Sequence, residues 1–213
     1  MNVLYLYRQS EWGKELKYSI RSVEKYVNPD RILVMGDSTD LAVESVKISR
    51  KANKYEDVCI SLHQALYHLD RDVWLLMHDD MFLLEDYAII KRHNGKLSEH
   101  ARRTAKDRRQ CFEKVLDFYP WADNYSLHYP MPFRKDTLEA CFTNHRIPFS
   151  YMNALGNRDT SFLDSQTKDC KFKAGTVNKK ALQGMPCFST YGEDNTFEKL
   201  LRTLYPKPSK YEK

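Results

Sequence analysis

The sequence predicts an α/β fold, a Rossmann-type and mostly parallel sheet flanked by helices within a single domain. Three observations carry that expectation. Short apolar runs rich in β-formers recur at Val3–Tyr7, Arg31–Met35 and Val73–Met77. Between the first two, Leu16, Ile20, Val23 and Val27 follow one another at helical spacing and mark one face of a helix. A length of 213 residues suits one substantial α/β domain and is marginal for two.

The first strand, Val3–Tyr7, runs into the polar turn Arg8-Gln9-Ser10. The helix that follows is expected to stop before Pro29, which cannot continue it. The second strand closes on Gly36-Asp37-Ser38, and strand, helix and strand in this order imply a right-handed parallel unit. A second helix is expected to begin near Thr39 or Asp40, and another over Val58–Leu69, with Ala65, Leu66 and Leu69 facing inward. Val73–Met77 is the most apolar strand candidate, and it leads directly into His78-Asp79-Asp80-Met81-Phe82. Further on, Tyr125–Leu127 reads as a strand ending at His128-Tyr129-Pro130-Met131-Pro132. Leu138 and Phe142 suggest a helix, and Thr196–Leu204 a short final one. Residues 1–205 are thus expected to form the domain, with a basic insertion or helix over 91–109 and an exposed, extended tail over 206–213.

Composition narrows the function classes. Hydrophobic residues make up 42% and aromatics 13%, which suits a packed core and argues against wholesale disorder. With only 7 glycines, a glycine-rich phosphate loop is not the main device. A net charge of +5 is mild; it fits an anionic ligand such as a nucleotide and permits nucleic acid without demanding it. The 5 cysteines are scattered and contain no CxxC pair, so a reducing, cytoplasmic compartment is expected rather than a disulfide framework or zinc knuckle. No basic start with a long apolar run and no membrane span is read from the chain. Oligomeric state is not legible.

The strongest chemical signal is the acidic pair Asp79-Asp80. In open α/β sheets ligands gather outside the carboxyl ends of the strands. Two carboxylates there can hold Mn²⁺ or Mg²⁺ that also touches a diphosphate, offsetting charge on a departing nucleotide. The same pair also suits a plain turn or cap. His128, at a later strand end, can complete the metal shell, contact phosphate, or simply anchor its loop. Arg8 and Arg21 are phosphate candidates because a guanidinium fork matches phosphate oxygens, although surface arginines are common. A nucleotide lying across the strand ends would also meet Tyr7, Gly36 and Asp37. Glu193, Asp194 and Asp159 are rival acids for activating an acceptor hydroxyl, with Asp164 a further one; Asp194 also suits a helix cap. The basic run Lys91–Arg109 is either a solvated helix face or a grip for a polyanionic acceptor.

Several of these stretches resemble one family. Glu15–Tyr26, ELKYSIRSVEKY, looks like a signature of the Stealth family, the sugar-phosphate transferases of capsule synthesis. Arg31–Asp37, Leu75–Phe82 and His128–Pro132 are similar, in order, to that family's second strand, acidic segment and histidine loop. The likeness spans about two thirds of the chain, and its acidic motif is shared with many GT-A glycosyltransferases. It implies a GT-A-like fold, a nucleotide-sugar donor of the UDP-sugar type, a divalent metal, and site roles for Arg21, Asp79, Asp80 and His128. One departure stands out: Tyr7-Arg8-Gln9-Ser10 lacks the Asp that the family carries after its first strand, which favours glycosyl over sugar-phosphate transfer. The compact chain also looks like stand-alone transferases of bacteriophages, for which the implied acceptor is a hydroxymethylated base in phage DNA and the compartment the host cytoplasm. A saccharide acceptor and a non-catalytic nucleic-acid-binding protein are the alternatives.

Overall fold

The computed structural model describes residues 1–10, 12–49, 53–87, 91–159, 182, 184–190 and 195–212. Its elements in chain order are β1 (Asn2–Tyr7), α1 (Glu15–Tyr26), β2 (Ile32–Gly36), β3 (Glu44–Lys47), α2 (Lys54–Ala65), β4 (Val73–His78) and β5 (Met81–Leu83). There follow α3 (Leu97–Arg102), α4 (Lys106–Leu116), β6 (Met131–Arg134), α5 (Lys135–Asn144), α6 (Tyr151–Arg158), β7 (Cys187–Ser189) and α7 (Asn195–Leu204).

The five-stranded sheet has the order β3-β2-β1-β4-β6. Its first four strands are parallel, with Leu6 beside His78 and Tyr7 beside Gly36, and only β6 runs antiparallel. Alternate residues of β1 serve opposite faces, as the pleat requires. Val3 and Tyr5 pack with Leu16, Ile20 and Val23 of α1. Leu4 and Leu6 pack with Cys59 and Leu62 of α2, Phe112 of α4 and Leu138 of α5. Each fully buried aliphatic side chain stabilises the fold by about 2 kcal/mol. The helix α1 ends as its sequence dictates: Asn28 takes a left-handed φ of 48°, its N–H and that of Val27 reach back to the Val23 carbonyl, and Pro29 follows.

A second, two-stranded sheet pairs β5 with β7 and stacks Phe82 on Phe188 with ring centroids 5.0 Å apart. Leu201 and Tyr205, from α7 and the residue just beyond it, close over it, and the Tyr205 hydroxyl donates to the Leu83 carbonyl. Among the described residues no helix is long and apolar enough to cross a membrane.

Four expectations need correction. No helix begins at Thr39: the Thr39 hydroxyl accepts the Leu41 N–H in a tight turn, and the chain proceeds to β3. That strand is a polar edge strand, an exposed position its Glu-Ser-Val-Lys sequence suits. Tyr125–Leu127 is not a strand; Asn153 and Asn124 side chains take its amides instead. The strand lies after the histidine loop, at β6, where Pro132 is tolerated because β6 is a sheet edge. The 91–109 run is not one cationic face: Lys91 is 1% exposed and donates to the Asp159 carbonyl at 2.6 Å, Lys96 pairs with Asp123, and Arg109 caps carbonyls at the end of α3. Burial pulls the Lys91 ammonium down to about 8.

The tail, too, is docked rather than extended into solvent. Glu212 accepts both arms of the Arg21 guanidinium at 2.5 and 2.7 Å and pairs with Lys17 at 2.8 Å. Ser209 is buried, and the Tyr211 carbonyl accepts the Ala42 N–H at 2.7 Å. Burial alone would raise the Glu212 carboxyl, but the hydrogen bonds from Arg21, Lys17 and the Ser209 amide outweigh it and hold the group at about 2. A carboxyl lowered on folding stabilises the protein above its unfolded value, and that stability is lost as pH falls through the folded one. Glu212→Gln should therefore cost about 2 kcal/mol in urea unfolding at pH 7, and the difference from wild type should shrink as pH falls from about 4.5 to about 2.

Candidate active site

The sheet reverses direction of build between β1 and β4, which makes that pair the topological switch point of the fold. A cavity of about 370 Å³ opens there, at the carboxyl ends of the strands. Tyr7 and Arg8 reach it from the end of β1, Gly36 from β2, and His78 and Asp79 from β4. Gly36 is needed at its position: its φ is +142°, and a Cβ would stand 2.0 Å from the Tyr7 carbonyl oxygen. Beyond it the Asp37 carboxylate accepts the Gln9 N–H at 2.8 Å and so fastens the two strand-end loops together.

Asp79 sits in the notch between β1 and β4. Burial, then the charges of Asp80 and Glu15, push its carboxyl up to about 8, against the pull of the Arg8 backbone N–H. Burial also holds the Tyr7 phenol up at about 12, with Asp79 adding to it. Asp80 turns the other way. Its Oδ2 lies 3.5 Å from His128 Nδ1, and its Oδ1 is buried with no hydrogen-bond partner. The Thr190 N–H holds the Asp80 backbone carbonyl at 3.1 Å, and the Thr190 hydroxyl lies 3.4 Å from the buried Glu15 carboxylate. His78 is hydrogen-bonded through Nε2 to the Tyr151 hydroxyl at 2.5 Å, and burial keeps its imidazole below the usual range, toward the neutral form.

The predicted residues Tyr7, Arg8, Gly36, Asp79 and His128 thus meet in one cavity, with Asp80 beside His128 and Asp37 at the rim. Arg21 does not join them, because Glu212 takes its guanidinium. Asp159 caps the far end of α6, where the Thr137 hydroxyl lies 3.5 Å from its Oδ2. Thr137 follows Arg134, which pairs with Val73 at the start of β4. The length of β4, about 17 Å, therefore separates Asp159 from the acidic pair. Glu193, Asp194 and Asp164 lie outside the described residues. Lys54 and Tyr55 of α2, Phe112 of α4, and Ser150 and Tyr151 at the start of α6 also line the wall and were not singled out from sequence, whereas Arg108 of α4 belongs to the basic run 91–109.

Among the described residues no three His, Cys, Asp or Glu side chains converge as a complete protein shell for a metal. The donors present suit a different kind of site. Mg²⁺ and Mn²⁺ are commonly held by one or two carboxylates with substrate phosphate oxygens completing the shell. A like-charged pair with one orphaned buried oxygen, beside an imidazole, has that character.

No family model matches the chain, and no curated protein resembles it in sequence. Among solved structures it is similar to an active-site mutant of LgtC, a GT-A glycosyltransferase. The TM-score is 0.50 at 8% identity, over 99% of this chain and 98% of that one. The fold is therefore GT-A-like, with a mostly parallel sheet flanked by helices.

A carboxyl raised on folding destabilises the native state as pH climbs from its unfolded value to its folded one, because the native state then binds more protons than the unfolded chain. For Asp79 that window runs from 3.8 to about 8. Metal-free protein should lose stability across it, and Asp79→Asn should flatten the loss, as followed by melting temperature at successive pH values.

Proposed function

We propose that the protein is a metal-dependent glycosyltransferase that uses a nucleotide-sugar donor and an acceptor hydroxyl. The observation that carries this reading is the half-buried acidic pair at the β1–β4 switch point of a GT-A-like fold, beside a cavity that also holds Arg8.

On this reading Tyr7, Gly36 and Asp37 receive the nucleoside, since Tyr7 and Gly36 line the cavity and Asp37 follows directly at the end of β2. Arg8 has no carboxylate within ion-pair distance among the described residues, and its guanidinium takes the diphosphate oxygens. Asp79 and Asp80 hold Mn²⁺ or Mg²⁺, with His128 completing or orienting the Asp80 side of the site. When bound, the metal neutralises charge on the departing nucleoside diphosphate. The acceptor oxygen bonds to the anomeric carbon as the bond from that carbon to the phosphate oxygen breaks. The acceptor proton passes to a carboxylate, which we assign to Glu193 or Asp194. They follow Thr190 by three and four residues, and Thr190 is already bonded to Asp80.

Sugar-phosphate transfer, the activity of the Stealth family, is the less favoured reading. Arg21, a site candidate by that likeness, is committed to the tail, and Arg8 remains the phosphate ligand at the strand ends.

Two measurements test the proposal. In a thermal-shift screen, a nucleoside diphosphate should raise the melting temperature in the presence of Mn²⁺ and not in EDTA. Asp80→Asn should lower turnover by at least about a hundredfold while leaving the metal-free melting temperature nearly unchanged, since its Oδ1 has no hydrogen-bond partner and its Oδ2 meets the His128 imidazole only at 3.5 Å. Undiminished turnover in Asp80→Asn would remove the metal assignment.

A further inference from the structure

The cavity carries a second cationic feature that donor binding leaves unused. Lys54 is the first residue of α2 and Arg108 the third of α4. Both line the cavity. One helical turn further in, Val58 and Phe112 line it as well, so each helix presents a cation outside and an apolar side chain inside. Phe149 adds to the apolar part.

These two cations differ from those that the fold neutralises. Lys14, Lys17, Arg21, Arg31, Lys96 and Arg202 each pair with a carboxylate. Among the described residues no carboxylate lies within ion-pair distance of Lys54 or Arg108, although Asp57 shares the wall. Each lies instead over an aromatic ring of its own helix. Lys54 is 5.2 Å from the Tyr55 centroid, and Arg108 is 5.3 Å from that of Phe112. Both sit in the first turn of a helix, where the macrodipole disfavours positive charge. Local structure therefore offsets their charge only through these ring contacts, whereas an anion at the cavity mouth would gain from both.

We infer that Lys54 and Arg108 form a phosphate subsite for the acceptor, so that the hydroxyl to be glycosylated is carried by a phosphate-bearing molecule. This rests on the donor reading above, with Arg8 and the acidic pair occupied by the nucleoside diphosphate. The phosphate group sits between the two cations at the mouth, and the body of the acceptor lies against Val58, Phe112 and Phe149. The same chemistry is offered by a phosphorylated sugar and by a nucleic-acid strand. Lys91, Lys96 and Arg109 are engaged within the fold, and the exposed Arg102, Arg103 and Lys106 do not line the cavity, so recognition there falls to Lys54 and Arg108.

Calorimetric titration tests this. Wild-type protein is first titrated with UDP in Mn²⁺, then, when saturated, with inorganic phosphate, glucose 6-phosphate and a short single-stranded DNA. At least one phosphate probe should bind the saturated protein, and the stronger one identifies the source of the phosphate. Lys54→Gln/Arg108→Gln should weaken that binding by at least about tenfold and leave UDP affinity within about twofold. Both residues are exposed, and the single variants serve should the double one misfold. The subsite is refuted if no phosphate probe binds, if binding is indifferent to the substitutions, or if UDP affinity falls in parallel, which would give the cations to the donor. Absence of UDP binding by wild type sinks the donor reading alone. The probes are then titrated into protein with Mn²⁺ only, and dependence on Lys54 and Arg108 still decides the subsite.

Discussion

Two adjacent carboxylates stand at the mouth of β4, and one is driven into the low-dielectric notch between that strand and β1. Neighbouring negative charges repel more strongly there than in water, and desolvation penalises each further. The fold supplies only partial relief, through the Arg8 amide for Asp79 and the His128 imidazole for Asp80. On the proposed reading an ion of opposite charge would relieve this repulsion, and neighbouring groups converge on the same point. Arg8 projects from the adjacent strand end, Gly36 lets the end of β2 pack against the Tyr7 carbonyl, and Thr190 ties the small second sheet to the Asp80 backbone.

The elements around this point divide the labour. The sheet and α1 form a rigid floor in which Val3, Tyr5, Ile20 and Val23 are fully buried. The wall comes from the N-terminal turns of α2, α4 and α6, which bring hydroxyls and cations to the cavity together with the apolar Val58, Phe112 and Met152. The C-terminal tail closes the other face: Glu212 fixes Arg21 of α1, and Tyr211 fixes Ala42 in the loop between β2 and β3.

Local features were legible because they are written in neighbouring residues. The strand at Val73–Met77 shows as an apolar run, and the acidic pair that follows it is a strand-end feature before any coordinates are known. The helix face of Leu16, Ile20 and Val23 was legible for the same reason. Where propensity and tertiary context disagreed, context won. Pro132 looked like a loop residue, yet an edge position accepts it in β6, and the polar stretch after Asp37 became edge strand β3 rather than a helix.

The sequence by itself determined the alternating α/β architecture and the placing of Asp79 and Asp80 beyond a buried strand, because hydrophobic periodicity and strand ends are short-range properties. Only the tertiary structure decided which distant charges meet. Arg21 went to Glu212, 191 residues away, and Lys91 was buried against the end of α6. Lys54 and Arg108 were brought to one cavity from separate helices. A cation's partner is set by the packing of whole elements, and no local pattern in the chain encodes it.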